Sequence, residues 1–288
     1  MKAMILAAGL GTRLRPLTDS RPKALVEVAG RTLLEITLTR LSSFGVRDVI
    51  INVHHFPDMI LDYLKAHDNF GLHIEISREE QLLDTGGGLK KASWFFLQDS
   101  AHAEEPFILH NVDVISTIDL RRMLEFHNEK QALATLAVQH RQSSRQLLFD
   151  SELRLCGRRV SLDQEPELVR GNFTTTLPEG MHKEGTASAV PKNVSNAGAS
   201  APEVPPQPFA FTGIHIISPR LFRLMEELGA FSIIDTYLQL SARGEKILAY
   251  PADDAYWRDL GKPADLAQAA KDILQVSRSL RDPRPLER

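Results

Sequence analysis

A glycine-rich, basic segment, Leu6-Ala7-Ala8-Gly9-Leu10-Gly11-Thr12-Arg13-Leu14-Arg15-Pro16, follows directly on an apolar run near the N-terminus. Glycines let backbone N–H groups come close to anionic oxygens, and the Arg13 guanidinium can fork onto a phosphate with two donors. Ten residues beyond Arg13, Pro22-Lys23-Ala24-Leu25 sets a lysine beside a rigid turn, where it can place a point charge on a phosphate. The pattern is not a P-loop, because Gly-Lys-Ser/Thr is missing at the required spacing. It is not a full dinucleotide fingerprint either, since Leu14 stands where the third glycine is needed. These residues therefore point to a phosphorylated ligand held by a local site.

Regular elements must position that loop. Lys2 to Ala7 reads as a buried strand. Thr32 and Glu35 form a capping box before a helical stripe of Leu34, Leu38 and Leu41 that ends at Gly45. Strands are expected at Val49 to Val53, His73 to Ile76, Phe107 to Leu109 and Ala132 to Val138. Helices are expected to open at Pro57, after Thr85-Gly86-Gly87-Gly88, and at Asp119. Strands alternating with helices predict an α/β fold: a Rossmann-like, mostly parallel sheet with helices on both faces and ligands at the carboxyl ends of its strands.

After about Gln146 the pattern turns to short strands and turns. Gly171 to Pro208 is rich in Gly, Pro, Ser, Ala and Thr, and reads as a mobile loop or insertion that buries too little to repay its ordering. A strand over Phe209 to Ile217, helices over Pro219 to Leu228 and Ile234 to Ala242, a strand near Ile247 to Tyr250 and a terminal helix from Pro263 are expected next. Residues 1–270 read as one domain, with a nucleotide-binding part to about 140, a sugar-binding part over 141–270 and the insertion at 171–208. Residues 271–288 read as a C-terminal helix and frayed tail.

The bulk composition limits the partners. With 288 residues, 43% hydrophobic and 25% charged, the chain has the mix of a globular protein able to bury a core unaided. A formal net charge of −3 leaves no electrostatic footprint for nucleic acid or an anionic membrane. The single cysteine, Cys156, fits a reducing cytoplasm. The short apolar run at the start breaks at Gly9, so neither an export signal nor a spanning segment is expected. The quaternary expectation is a monomer or small homo-oligomer.

Taken together, Leu6-Ala7-Ala8-Gly9-x-Gly11-Thr12-Arg13-x-x-Pro16 and Pro22-Lys23 resemble the signature of the sugar-phosphate nucleotidyltransferase (NDP-sugar pyrophosphorylase) family. The resemblance continues through Thr85-Gly86-Gly87-Gly88, Asn111-Val112-Asp113, Phe211-Thr212-Gly213 and Trp257-Arg258-Asp259-Leu260-Gly261. It implies a nucleoside triphosphate and a sugar 1-phosphate as partners and Mg²⁺ as cofactor. Ala7, Ala8, Gly9, Gly11, Thr12 and Arg13 would wrap the triphosphate, Lys23 would neutralise the α-phosphate, and Asp113 and Asp259 would hold the metal. Gly86 and Gly87 would let a base lie against the backbone, although the same glycines could simply form a turn into a helix. Glu79 and Gln81 stand as base or ribose contacts, with Glu79 also counted on the sugar side beside Asn111 and Gly213. Gly213 either makes room for a hexose or serves strand packing.

The chain also departs from that pattern. Val112 occupies a place where many members carry a smaller residue. The family's Glu-Lys-Pro segment, whose lysine grips the sugar phosphate, is answered here only by Gln164-Glu165-Pro166, leaving Arg158 or Arg159 as substitutes. No hexapeptide repeat follows, so no added acyltransferase domain is expected. His54-His55 is no expected metal pair, since neighbours on an extended chain face opposite ways. The size, the Thr-Gly-Gly-Gly segment and the missing lysine look most like N-acetylmuramate 1-phosphate uridylyltransferases, with mannose or heptose 1-phosphate guanylyltransferases next.

Overall fold

A computed structural model describes residues 1–98, 104–161, 163–169 and 205–281, with side chains as far as 273. Its strands are β1 (Lys2–Leu6), β2 (Glu27–Val28), β3 (Arg31–Thr32), β4 (Asp48–Val53), β5 (His73–Arg78), β6 (Phe107–Asn111) and β7 (Val114–Ser116). They continue with β8 (Ala134–Gln139), β9 (Gln146–Phe149), β10 (Leu155–Arg159), β11 (Glu167–Leu168), β12 (Gln207–Ile217), β13 (Ile247–Pro251) and β14 (Trp257–Asp259). The helices are α1 (Leu33–Ser43), α2 (Pro57–Ala66), α3 (Asp84–Lys91), α4 (Ser93–Leu97), α5 (Leu120–Lys130), α6 (Leu221–Leu224), α7 (Ile233–Ala242) and α8 (Pro263–Arg281).

The main sheet runs β11-β10-β9-β12-β6-β1-β4-β5, and β8 lies against β12 with β13 beyond it. β1 pairs in parallel with both β4 and β6, β4 with β5, and β8 with β13, while β12 is antiparallel to its neighbours. The sheet is thus mixed, with a parallel core. Ala3, Met4 and Ile5 of β1 are fully buried, as a strand covered on both faces requires. One face packs α1, α2, α5 and α8 through residues such as Leu34, Leu38, Ile60, Met123 and Leu266. The other packs α3, α4 and α7 through Leu89, Phe95, Phe96, Tyr237 and Leu240. The α/β architecture with helices on both faces is the expected one.

Local signals explain the helix ends. The Thr32 hydroxyl accepts from the Glu35 N–H at 3.0 Å, and the Asp119 carboxylate accepts from Arg121 and Arg122 N–H groups at 3.0 and 3.2 Å. Two expectations need correcting. Thr85-Gly86-Gly87-Gly88 does not precede a helix but lies inside α3. The expected helix over Pro219 to Leu228 shrinks to α6, which leaves helical geometry at Met225. There the carbonyls of Met225 and Glu227 are turned onto the Lys90 ammonium at 2.9 and 2.6 Å. Most of the expected insertion, residues 171–204, lies outside the described residues, as do 282–288; α8 runs unbroken across position 270.

Candidate active site

Register places four strand ends side by side. Leu6 at the end of β1 aligns with Asn52 on β4 and with Asn111 on β6, and Asn52 aligns with Ser77 on β5. The chain leaves each of these ends into a cleft of about 390 Å³ lined by Ala7, Ala8, Gly9, Lys23, Glu79 and Asp113, among others. Gly9 has open space where a Cβ would stand, so the cleft reaches its backbone. Gly11 adopts φ 65°, and a Cβ there would meet Thr18 Cγ2 at 2.8 Å and Lys23 Cβ at 3.2 Å. Only glycine suits that left-handed, crowded position, and the fit fastens the loop to the turn that carries Lys23. Thr12 and Arg13 follow in a single exposed helical turn.

Lys23 reaches inward from the turn Lys23–Leu25, anchored by the buried Ala24 and Leu25, and its Nζ is ion-paired with Asp113 Oδ2. Asp113 stands between β6 and β7. β7 pairs with β14 so that Asp259 faces Val114, and the Leu260 N–H donates to the Asp113 carbonyl at 2.8 Å. The backbone thereby makes neighbours of two aspartates distant in sequence. Asp259 Oδ1 accepts from the Gly261 N–H at 2.6 Å. A Cβ on Gly261 would lie 2.6 Å from Arg13 Nη2 and 2.7 Å from Asp259 Oδ1, so the Arg13 guanidinium rests over that glycine.

This donor set fits Mg²⁺. Among the described residues the second oxygen of each aspartate makes no hydrogen bond, and no group of three or more His, Cys, Asp or Glu could hold a metal. Mg²⁺ is characteristically bound by one or two carboxylates completed by water and substrate phosphates.

Glu79 and Asn52 brace the other side. Buried Asn52 accepts from the Ala7 N–H at 2.7 Å and donates to Glu79 Oε1 at 2.7 Å, while Glu79 Oε2 accepts from the Leu83 N–H at 3.0 Å. Both Glu79 oxygens are therefore engaged. It also follows β5, at the far edge of the sheet from Gly213 on β12. Glu79 thus lines the cleft as a buried brace, and the structure does not bring it next to Gly213. Gln81 is exposed beside Leu82 at the cleft rim.

Gly86 and Gly87 pack closely against the 229–231 segment. Their N–H groups both donate to the Phe231 carbonyl, at 2.9 and 3.3 Å. Cβ atoms there would strike the Phe231 ring at 2.4 Å and the Gly229 carbonyl at 2.3 Å. Protein fills the space these glycines leave on their Cβ side, so they serve the packing of α3, next to the cleft-lining Asp84 and Thr85. Gly213 behaves likewise. It sits at φ 82° in an irregularity of β12, and a Cβ would meet Asn111 Nδ2 at 2.7 Å. Asn111 lines the cleft directly, and Gly213 makes the room for its amide.

Sequence reasoning missed Asn52 and Arg141. Asn52 is the one polar residue between the ends of an apolar strand, Asp-Val-Ile-Ile-Asn-Val, at its carboxyl end, which was the available signal. Arg141, just past β8, lies over the Trp257 ring with Cζ 3.8 Å from its centroid. Of the residues offered for the missing lysine, Arg158 is taken by ion pairs with Glu167 and Asp235, and Arg159 Nη1 reaches Gln146 Oε1 at 3.5 Å. His54 Nδ1 meets the Glu79 carbonyl at 2.9 Å, a structural contact.

Comparison with known proteins agrees with this geometry. The chain is 33% identical over 277 residues to the N-acetylmuramate alpha-1-phosphate uridylyltransferase of Caulobacter vibrioides, covering 93% of this chain and 96% of that protein. It is 29% identical over 269 residues to the mannose-1-phosphate guanyltransferase of Yarrowia lipolytica. That match covers 92% of this chain but 62% of that protein, so the chain spans under two thirds of its length. Among solved structures, HddC from Yersinia pseudotuberculosis complexed with GMP-PN shares the fold at a TM-score of 0.65. The identity is 19%, and the match covers 94% of this chain and 99% of that one. The sequence profile of the nucleotidyl transferase family matches residues 2–147, the half that holds the glycine-rich loop, Lys23 and Asp113, and the chain belongs to that family.

Proposed function

We propose that the protein transfers a nucleotidyl group from a nucleoside triphosphate to a sugar 1-phosphate, releasing pyrophosphate. The observation that carries this reading is the Lys23–Asp113 ion pair beside the glycine-rich loop, at the carboxyl ends of β1 and β6, with the β7–β14 pairing bringing the backbone of Asp259 alongside. A phosphate oxygen of the sugar 1-phosphate attacks the α-phosphorus, the bond from that phosphorus to the β-phosphate oxygen breaks, and pyrophosphate departs with the electron pair. The nucleophile is already ionised near neutral pH, so no general base is needed; the barrier lies in bringing polyanions together and aligning them.

The residues divide that task. Gly9, Gly11, Thr12 and Arg13 hold the β- and γ-phosphates, with Arg13 supplying a bidentate fork. Lys23, poised on Asp113, meets the α-phosphate as charge shifts in the transition state. Asp113 and Asp259 would hold Mg²⁺, which would supply positive charge to screen the phosphates. Asn52 and Glu79 keep the Ala7 turn rigid at the nucleotide end, and Asn111 lies toward the sugar. The nucleotide part then spans about 1–140 and the sugar part about 141–270, in one functional unit in the cytoplasm.

The preferred pair is UTP with N-acetylmuramate 1-phosphate, supported by the near full-length likeness to the Caulobacter vibrioides enzyme. GTP with mannose or heptose 1-phosphate is the second reading, supported by the Yarrowia lipolytica relative. A regulatory module that only binds a nucleotide-sugar is disfavoured by the presence of Arg13, Lys23 and Asp113 together. Pyrophosphate release assayed across these pairs tests the reading. Release from one pair supports it, and Mg²⁺-nucleotide binding without release from any pair moves the assignment to a binding module.

A further inference from the structure

Arg141 is an unusual cation for a half-buried position. Its guanidinium stands over Trp257 with Cζ 3.8 Å from the ring centroid, Nη2 donates to the Phe211 carbonyl at 2.9 Å, and Nε is buried with no acceptor among the described residues. The platform beneath it is itself fixed, because Trp257 Nε1 donates to the Thr212 carbonyl at 2.7 Å. Trp257 and Asp259 stand two apart on β14 and so share a face of that strand. Burial pushes the Arg141 guanidinium below its usual value, and the charge of Asp259 pulls the other way. The protein therefore keeps a desolvated, stacked arginine with an unmet donor beside a metal-binding carboxylate. Such an arrangement is costly unless an anion completes it.

We propose that Arg141 binds the phosphate of the sugar 1-phosphate, filling the role of the lysine that the Gln164-Glu165-Pro166 segment lacks. The inference rests on the nucleotidyl-transfer reading above. Geometry favours Arg141 over the two arginines first considered, since Arg158 is already paired with Glu167 and Asp235 and Arg159 leans on Gln146. In-line displacement needs an anion site for the leaving pyrophosphate and another for the incoming phosphate. Asp259 has a guanidinium near each of its two neighbouring segments: Arg13 rests over Gly261, and Arg141 rests over Trp257. Arg13 arrives from the glycine-rich loop and Arg141 from the end of β8, which assigns the triphosphate to the first and the sugar phosphate to the second. A planar fork held on an indole is also preorganised for a bidentate phosphate contact in a way that lysine is not.

The test compares wild type with Arg141→Met, which keeps the stem, and Arg141→Lys, which keeps the charge. Steady-state pyrophosphate release is measured with UTP plus N-acetylmuramate 1-phosphate and with GTP plus mannose 1-phosphate. Arg141→Met is expected to raise KM for the sugar 1-phosphate about 10- to 100-fold, with KM for the triphosphate within about twofold, and Arg141→Lys is expected to recover part of the loss. Equal rises in both KM values, or a fall in kcat alone, would show that Arg141 only braces Trp257 and would overturn the assignment. Direct binding separates this from failure of the catalytic reading. In a Trp94→Phe background, the fluorescence of Trp257 is titrated with N-acetylmuramate 1-phosphate, mannose 1-phosphate and unphosphorylated N-acetylmuramate. Saturable quenching by a 1-phosphate, absent for the free sugar and lost in Arg141→Met, supports the assignment even if no pair releases pyrophosphate. No response to either 1-phosphate, or an unchanged one in Arg141→Met, overturns it.

Discussion

The backbone N–H of Leu260 donates to the carbonyl of Asp113 at 2.8 Å, and this bond extends the β7–β14 ribbon past the backbones of the two candidate metal aspartates. The pairing is made by backbone, so it survives changes of either carboxylate. Asp113→Asn and Asp259→Asn should therefore lose function without losing the fold.

Gly261 is the weak point of that junction. A methyl group there would sit 2.6 Å from Arg13 Nη2 and 2.7 Å from Asp259 Oδ1. Gly261→Ala is expected to displace both side chains and lower kcat/KM about 10- to 100-fold, since small misplacements of charged groups are costly in a preorganised site. Unfolding in urea should shift little. Steady-state kinetics with full activity retained would contradict this placement of Arg13.

Asn52 joins Ala7 to Glu79 through two buried hydrogen bonds. Asn52→Ala strands the Ala7 N–H and removes one partner of a buried carboxylate, for an expected loss of about 2–4 kcal/mol in urea unfolding. A loss below about 0.5 kcal/mol would show that the brace is not structural.

Replacing a helical glycine by alanine ordinarily stabilises by about 1 kcal/mol. Gly87→Ala should do the reverse, because its Cβ would meet the Gly229 carbonyl at 2.3 Å and backbone cannot step aside as a side chain can. The expected destabilisation is about 1–3 kcal/mol, read as a lower melting temperature. An increase would mean that the 229–231 segment gives way freely.

Acid should unfold the protein through buried histidines. Burial pushes His127 and His110 down to about 4 and His215 down to about 3. The unfolded chain takes up protons at the ordinary value near 6.5, so it binds more protons than the native state between those limits. Stability is then full above about pH 6.5 and falls as the pH drops toward 4. His127, bonded through Nδ1 to the Thr135 hydroxyl at 3.0 Å, accounts for about 2 kcal/mol of the loss at pH 5. His127→Gln should flatten the fall in stability from pH 7.5 to 5, read by urea unfolding, by about that amount.

The parallel core of the fold was legible because its signals are local. β1 is an apolar run into glycines, Thr32 and Asp119 cap the helices expected of them, and Gly45 ends α1 in left-handed geometry at φ 86°. Lys23 was legible from its spacing after the glycine-rich loop and Asp113 through the family resemblance, and the structure pairs them. What escaped was set by contacts between distant segments. The glycines of α3 are dictated by Phe231 and Gly229, the end of α6 by Lys90, and Arg141 by Trp257, none of which leaves a periodic trace. The bracing role of Glu79 left no trace because its partner Asn52 sits on a different strand.

The most direct test of the account is pyrophosphate release by the purified protein with Mg²⁺, UTP and N-acetylmuramate 1-phosphate, run beside GTP with mannose 1-phosphate and repeated with Asp113→Asn. The account predicts release from wild type with one of these pairs. It also predicts a fall of at least about 100-fold in Asp113→Asn at unchanged melting temperature, as expected when a charged group at the reacting phosphates is removed. Near-full turnover by Asp113→Asn would contradict the site described here.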